Sequence, residues 1–332
     1  MCASSIRADE EDFSKMDLVD LVEVNIYVAS VLFAHIHNEG EWMFDYSHVT
    51  MKMDGNLDGT RSVSASEVLA SYRVTPLDMT MDMDMFMVMY APSDELTLMM
   101  MLQWVEKEMK HQTQMGTQFT TRSSGMGDTT LSANYVVMKE NTDFGEQEYT
   151  LTVGISLPTG STDEEDFLPP MGNVTKLPYP MQLGSGTYDA IVGGAYLGFS
   201  DKWYWGAQGL ATIRSAENDE GYRLGNRIDL KLWLTRAFND SLSGYVRVDA
   251  HKQENIKGAD PDLNPMMVPT ADPDLRAQKM LSLTFGVDAY ASKGMLEGHR
   301  VGLAVGKPIF QRLDGPQLET DLTVRFDWQL VF

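Results

Sequence analysis

The last eleven residues of the chain alternate without a break. Leu322, Val324, Phe326, Trp328, Leu330 and Phe332 take one set of positions; Thr323, Arg325, Asp327, Gln329 and Val331 take the other. A period of two puts each set on its own face of a β-strand. One face is wholly bulky and apolar, and the other carries both signs of charge. That is the contrast needed by a strand with lipid on one side and a polar lumen on the other. The same alternation predicts twelve strands, at 41–53, 79–91, 95–108, 128–140, 146–158, 185–199, 203–214, 224–238, 241–252, 278–290, 297–310 and 318–332. Connections after odd strands run 25, 19, 26, 9, 25 and 7 residues, and after even strands 3, 5, 3, 2 and 6. Long loops at one end and tight turns at the other are the rhythm of an up-and-down barrel with both termini on the short-turn side. A soluble Greek-key sandwich has no reason to keep it.

The fold class expected is therefore all-β, a transmembrane up-and-down antiparallel barrel of about 12 strands over 39–332, preceded by an acidic segment 1–38. Strands of 12 to 15 residues, rising ~3.3 Å per residue and tilted by ~40°, span the ~30 Å hydrocarbon layer. An even count closes the sheet and leaves no edge for lipid to meet. Turn formers stand at Ala91-Pro-Ser-Asp94, Ser200-Asp-Lys202, Asn239-Asp240 and Ser292-Lys-Gly294. Trp42, Trp104, Trp203, Trp205 and Trp328 fall near strand ends, as interfacial girdles do. The segment 1–38 is read as periplasmic or plug-like, with a short helix at Asp12–Leu21. Met1–Met16 is acidic, and the apolar run Val22–Ile36 is late and interrupted, so the expectation is that a leader was removed or the start trimmed.

Composition alone points elsewhere. With 26 Lys and Arg against 48 Asp and Glu, the formal charge is −22. On a barrel that charge is expected largely in outer loops, for example at Asp163-Glu-Glu-Asp166, Asp260-Pro-Asp262 and Asp272-Pro-Asp274. The acid excess argues against a nucleic-acid partner, whose phosphates are bound by Lys and Arg. One cysteine, Cys2, excludes a disulfide framework and a Cys-based zinc site. No nucleophile elbow, metalloprotease helix or phosphate loop is present, and no enzyme is expected.

The unusual residue is methionine, 24 in all. Met79, Met81, Met83, Met85, Met87 and Met89 share one face of the second strand, opposite Thr80, Asp82, Asp84, Phe86, Val88 and Tyr90. On the third strand Leu96, Leu98, Met100, Leu102 and Trp104 suit lipid, which turns Thr97, Met99, Met101 and Gln103 inward. On the first, Trp42, Phe44 and Tyr46 face out, leaving Met43, Asp45, Ser47, Met51 and Met53 inside. If the aromatic end of the second strand also faces lipid, three neighbouring strands line one wall with thioethers, and Asp82 and Asp84 lie near or above the outer interface. Arg227, Asp229, Lys231, Arg247, Asp249, Arg325 and Asp327 are expected to point inward and pair with one another.

Thioethers are neutral, polarizable ligands that favour Cu(I) and Ag(I) over hard divalent ions. The candidate soft-metal residues are Met43, Met51, Met53, Met79, Met81, Met83, Met85, Met87, Met89, Met99 and Met101, with His35 and His37 before the first strand. The bland alternative is an adaptable apolar lining. Asp54, Asn56 and Asp58, in Asp54-Gly-Asn-Leu-Asp-Gly-Thr60, match the first half of a calcium loop, although a Gly/Asn/Asp-rich turn explains them as well. No cofactor is otherwise expected; the metal candidates are Cu(I), Ag(I) and a weak Ca²⁺ site.

Several segments resemble the bacterial outer-membrane "transporter" family named for the meta-pathway of phenol degradation. They are Gly40-Glu-Trp-Met43, Met51-Lys-Met-Asp-Gly-Asn-Leu-Asp-Gly-Thr60, Met79-Thr-Met-Asp-Met-Asp-Met85, Met89-Tyr-Ala-Pro-Ser-Asp94, Leu157-Pro-Thr-Gly160, Leu177-Pro-Tyr-Pro-Met-Gln-Leu-Gly-Ser-Gly186 and Asp314-Gly-Pro-Gln-Leu-Glu-Thr-Asp321. The resemblance covers roughly 38–332 and implies a barrel in the bacterial outer membrane, without a settled substrate. Relatives tend to place a histidine where this chain has Asp84. The terminal aromatic Phe332 resembles the signal read by the barrel-assembly machinery, an expected partner beside outer-membrane lipid. The function expected is a transporter or channel with a methionine-lined wall, binding or passing Cu(I) or Ag(I). The alternatives are passive uptake of small apolar or aromatic compounds, and a structural or metal-sequestering barrel.

Overall fold

A computed structural model describes residues 31, 36–143, 145–169, 172–200, 202–291 and 293–332. One antiparallel sheet closes on itself. Its strands are β1 (Trp42–Gly59), β2 (Val74–Ser93), β3 (Leu96–Thr113), β4 (Gln118–Met126 and Thr129–Thr142), β5 (Gly145–Leu157), β6 (Asp189–Ser200), β7 (Trp203–Ile213), β8 (Arg227–Asn239), β9 (Leu242–Gln253) and β10 (Gln278–Tyr290). The element His299–Val331 follows and pairs with both β10 and β1, closing the ring.

Two of these need unpacking. The halves of β4 pair with successive parts of β3, Met126 opposite Trp104 and Thr130 opposite Met101. They are one strand with a kink at Gly127-Asp128. Beside the ten other strands the His299–Val331 element is one unbroken ladder, yet it doubles back at Asp314-Gly-Pro316, so that its first half pairs with β10 and its second with β1. Val331 N donates to Gly298 O at 3.2 Å, and the Trp328 indole donates to His299 Nδ1 at 3.1 Å. Lys307 meets Asp321 at 2.9 Å. Its legs are β11 (299–313) and β12 (317–331), so the chain makes twelve passes, as the alternation predicts.

The strands are longer at one end than the pattern suggests. The stretch 109–127, expected as a loop, is ladder on both sides of a short turn: β3 continues to Thr113 and β4 starts at Gln118. β1 likewise runs to Gly59 and pairs there with Arg61–Val63. Beyond the membrane both faces of a strand meet water, so apolar alternation stops while the backbone ladder goes on.

Burial separates lumen from lipid. Phe86, Leu98, Leu131, Leu151, Leu232, Phe285 and Leu303 are exposed on the outside. Inside, Val31 packs against Leu197, Trp233, Tyr245 and Ala304, which places that residue of the N-terminal segment in the lumen. His37 N donates to Thr97 Oγ1 at 3.1 Å. The expected helix at Asp12–Leu21 lies outside the described residues. At the seam, Arg325 holds Asp327 (2.6 Å) and Ser47 (2.8 Å), and Gln329 donates to Asp45 at 2.8 Å. Last and first strands are thus joined by a buried polar network as well as by the ladder. Arg227–Asp229 and Arg247–Asp249 pair as expected, with His251 added on Asp229.

Candidate functional site

The methionines of β2 face the lumen. Met79, Met85, Met87 and Met89 are buried and Met81 and Met83 partly so, whereas Phe86 is 52% exposed. Asp82 and Asp84 are on the outer face with Tyr46, His48 and Thr50. Asp84 accepts from the Tyr46 hydroxyl at 2.7 Å and lies 2.8 Å from His48 Nδ1; Asp82 accepts from Thr50 at 2.5 Å.

Register sorts the wall into levels. Cross-strand neighbours on one face hold their Cβ atoms ~5 Å apart, within reach of flexible side chains. Near the short-turn end, Met43 of β1 lies opposite Met89 of β2, which lies opposite Met99 of β3. Toward the loop end, Met53, Met79 and Met109 are opposed in the same way. The levels between carry Asp45–Met87–Met101, Ser47–Met85–Gln103, Val49–Met83–Val105 and Met51–Met81–Lys107. Two rows of three thioethers therefore close the two ends of the wall, ten residues apart on β1, or ~33 Å at ~3.3 Å per residue.

The inner row joins Met85, Met87 and Met101 in one buried cluster, against which Leu210 of β7 packs from across the lumen. The outer row is roofed. Leu177 and Met181, in the connection after β5, pack on Met79 and Met109, with Met53 and Met81 against them. Lys107 reaches up from β3 and donates to the carbonyls of Pro180 (2.9 Å) and Gln182 (2.5 Å); Ser123 Oγ donates to Met181 O at 2.7 Å.

The roof is a cap of three outer connections. Tyr179 packs edge-on to Tyr222 at 4.9 Å, over Ile256. Lys176 bridges Glu220 (2.6 Å) and Asp260 (2.8 Å). Burial works to lower the Lys176 pKa, but the two carboxylates outweigh it and hold the ammonium above its ordinary range. Burial also pushes the Tyr222 phenol up to about 12. Asp260 lies in an outer connection, as expected, and is buried there beneath this lysine. Glu220, Asp260 and Asp262 converge, and Lys176 already neutralises two of them.

Between cap and barrel rim lies a cavity of about 190 Å³, walled by Val74, Phe119, Leu177, Leu263 and Val268 and by the polar His111, Thr121, Thr175, Lys176, Asp262 and Asn264. The His111 ring stacks on Phe119 at 5.0 Å and its Nε2 lies 3.0 Å from Thr121 Oγ1.

Met51, Met53 and the β2 and β3 methionines thus share one wall with Met43. His37 is buried near the short-turn end, 3.6 Å from Glu41, away from the outer row; His35 lies outside the described residues. Asp54, Asn56 and Asp58 lie on extended β1 rather than in an outer loop, with Asn56 Nδ2 donating to Pro76 O at 2.8 Å. Sequence reading missed Met109, Lys107 and Met181. Met109 and Lys107 keep the parity of Met99 and Met101, so continuing the alternation would have found them; Met181 carries no periodic signal.

The family described as "Putative MetA-pathway of phenol degradation" matches residues 70–266, more than half of the chain. The chain belongs to this family. Among solved structures, the COG4313 outer membrane channel from Pseudomonas putida F1 is similar over 91% of this chain and 99% of its own, at 14% identity and a TM-score of 0.60. The P. putida toluene transporter TodX covers 89% of this chain and 91% of its own, at 10% identity and a TM-score of 0.44. The β domain of the Bordetella autotransporter BrkA covers 89% and 100%, at 10% identity and the same TM-score. No curated protein matches. The protein is a closed antiparallel β-barrel with the fold of the COG4313 outer membrane channel.

Proposed function

We propose that this family member is a conduit, not an enzyme, that carries the soft ions Cu(I) and Ag(I) along its methionine wall. The observation behind this reading is the inner row, where Met43, Met89 and Met99 stand at one level on adjacent strands and are all buried. Three thioethers suit the low coordination numbers of Cu(I) and Ag(I). They bind without losing protons, unlike thiols. The single and paired methionines between the two rows would bind more weakly than the rows themselves. That favours passage over capture, because conduction needs binding weak enough to release. In proteoliposomes, Ag⁺ influx should exceed that of empty vesicles and fall at least tenfold in Met89→Leu. Influx unaltered by Met89→Leu, with K⁺ passing equally well, contradicts the reading.

The outer cavity supports a second reading, passage of small aromatic solutes, in keeping with the family's description. Its ~190 Å³ compares with the ~150 Å³ apolar cavity that takes up benzene. Quenching of bound phenol or toluene by Phe119→Trp, saturable and lost on Leu263→Trp, would favour it; no saturable binding removes it.

A further inference from the structure

We propose that Met181 of the outer cap is the fourth thioether of a site formed with Met53, Met79 and Met109, so that an ion bound at the outer mouth holds the cap shut. The inference rests on the soft-ion reading above and adds a regulatory role for its outer row.

Its basis is the way the cap is seated. Three of the thioethers come from adjacent barrel strands at one level, and their spacing is set by the ladder. The fourth comes from a connection that enters the mouth from outside: Met181 is fully buried and belongs to one buried cluster with Met79 and Met109. The loop does not depend on that side chain for its position. Lys107 and Ser123 grip the backbone carbonyls of Pro180, Met181 and Gln182, and Gln182 Oε1 accepts from Glu164 N at 2.8 Å. The thioether is thus delivered to the outer row by contacts that any residue at position 181 would keep. A leucine would have filled the same apolar space with a stiffer side chain. Four neutral sulfurs with no carboxylate among them make a site for a soft monovalent ion and a poor one for Ca²⁺ or Zn²⁺.

A linkage follows. A ligand that touches wall and cap together binds the closed state better than the open one, and so shifts the cap toward closure by its differential affinity. The ion must then leave the cap's thioether before it moves down the wall.

The test uses the full chain in detergent micelles, titrated with Ag⁺ and followed by methionine methyl NMR and by hydrogen exchange of residues 173–183. Wild type should show the Met181 methyl moving together with those of Met53, Met79 and Met109, and exchange of the cap slowed at least tenfold at saturation. Met181→Leu, a near-isosteric change, should keep the apo spectrum, lose the slowing, and bind at the outer row at least tenfold more weakly, with the inner row unaltered. A Met181 methyl that stays still while Met43, Met89 and Met99 shift overturns this inference and leaves the soft-ion reading standing. Cap exchange equally slowed in Met181→Leu overturns it too. No binding at either row overturns both.

Discussion

The charge that matters most on the outside is the one that is hidden. Lys176 and Asp260 are buried together beneath the cap, and removing one member of such a pair strands the other. Lys176→Met should destabilise cap closure by about 3–5 kcal/mol, read as faster hydrogen exchange at 173–183 and 257–263 with barrel strands unchanged; equal exchange in both proteins would show the bridge to be decorative. The same residues give the cap a pH limit. Lys176 and Tyr222 both hold the cap in their protonated forms, and both have pKa values above the ordinary ones, Lys176 through its carboxylate partners and Tyr222, at about 12, through burial. Stability from a raised pKa is complete below the unfolded value, near 10 for each, and is lost as pH rises through the folded value. Burial pushes the Lys107 ammonium, which grips the same cap, down to about 8. A lowered lysine pKa makes the folded state gain rather than lose stability as pH rises past it. Protease sensitivity of the outer connections should therefore not rise between neutrality and about pH 10, and should rise above it. Sensitivity that rose already near pH 8 would mean another group holds the cap.

At the scale of the element, strand parity decides what each residue can do. Phe86 and Met87 are neighbours in sequence, one facing lipid and the other in the methionine cluster. Phe86→Lys should cost about 2–4 kcal/mol of stability in bilayers, the cost of a cation on the lipid face. Denaturant titration in liposomes measures it, and a loss under ~0.5 kcal/mol would place Phe86 outside the hydrocarbon. Parity also explains what was legible. The twelve passes, the inward methionines and the paired lumen charges all follow from which residues lipid tolerates. The tops of β3 and β4 did not follow, because Glu106, Glu108 and Lys110 face water there and hydropathy no longer marks a strand. The glycines leave another trace. Gly206 and Gly286 lie under the rings of Trp233 and Tyr245 on adjoining strands, where a Cβ would sit 2.2 Å from a ring atom. Such glycines read as strand-weakening from sequence, and only the neighbouring strand supplies the reason for them.

For the molecule as a whole, the sequence conveyed the barrel and its thioether wall, and gave no sign of the cap. The cap is held by contacts between connections far apart in the chain, such as Lys176 with Glu220 and Asp260, which have no period and no local signature. Val31 lies inside the lumen and Met181 in its mouth, and Met43, Met87 and Met89 on the wall are almost wholly buried. That setting suits a ligand that sheds its water readily, and a soft ion among thioethers is one. The most direct test is a titration of the detergent-folded protein with Cu(I) under reducing conditions, followed by methionine methyl NMR. The account predicts saturable binding that shifts Met43, Met89 and Met99 together and leaves exposed Met115 and Met295 unmoved. Shifts confined to the exposed methionines, or no saturable binding, would contradict it and leave the wall as an apolar lining.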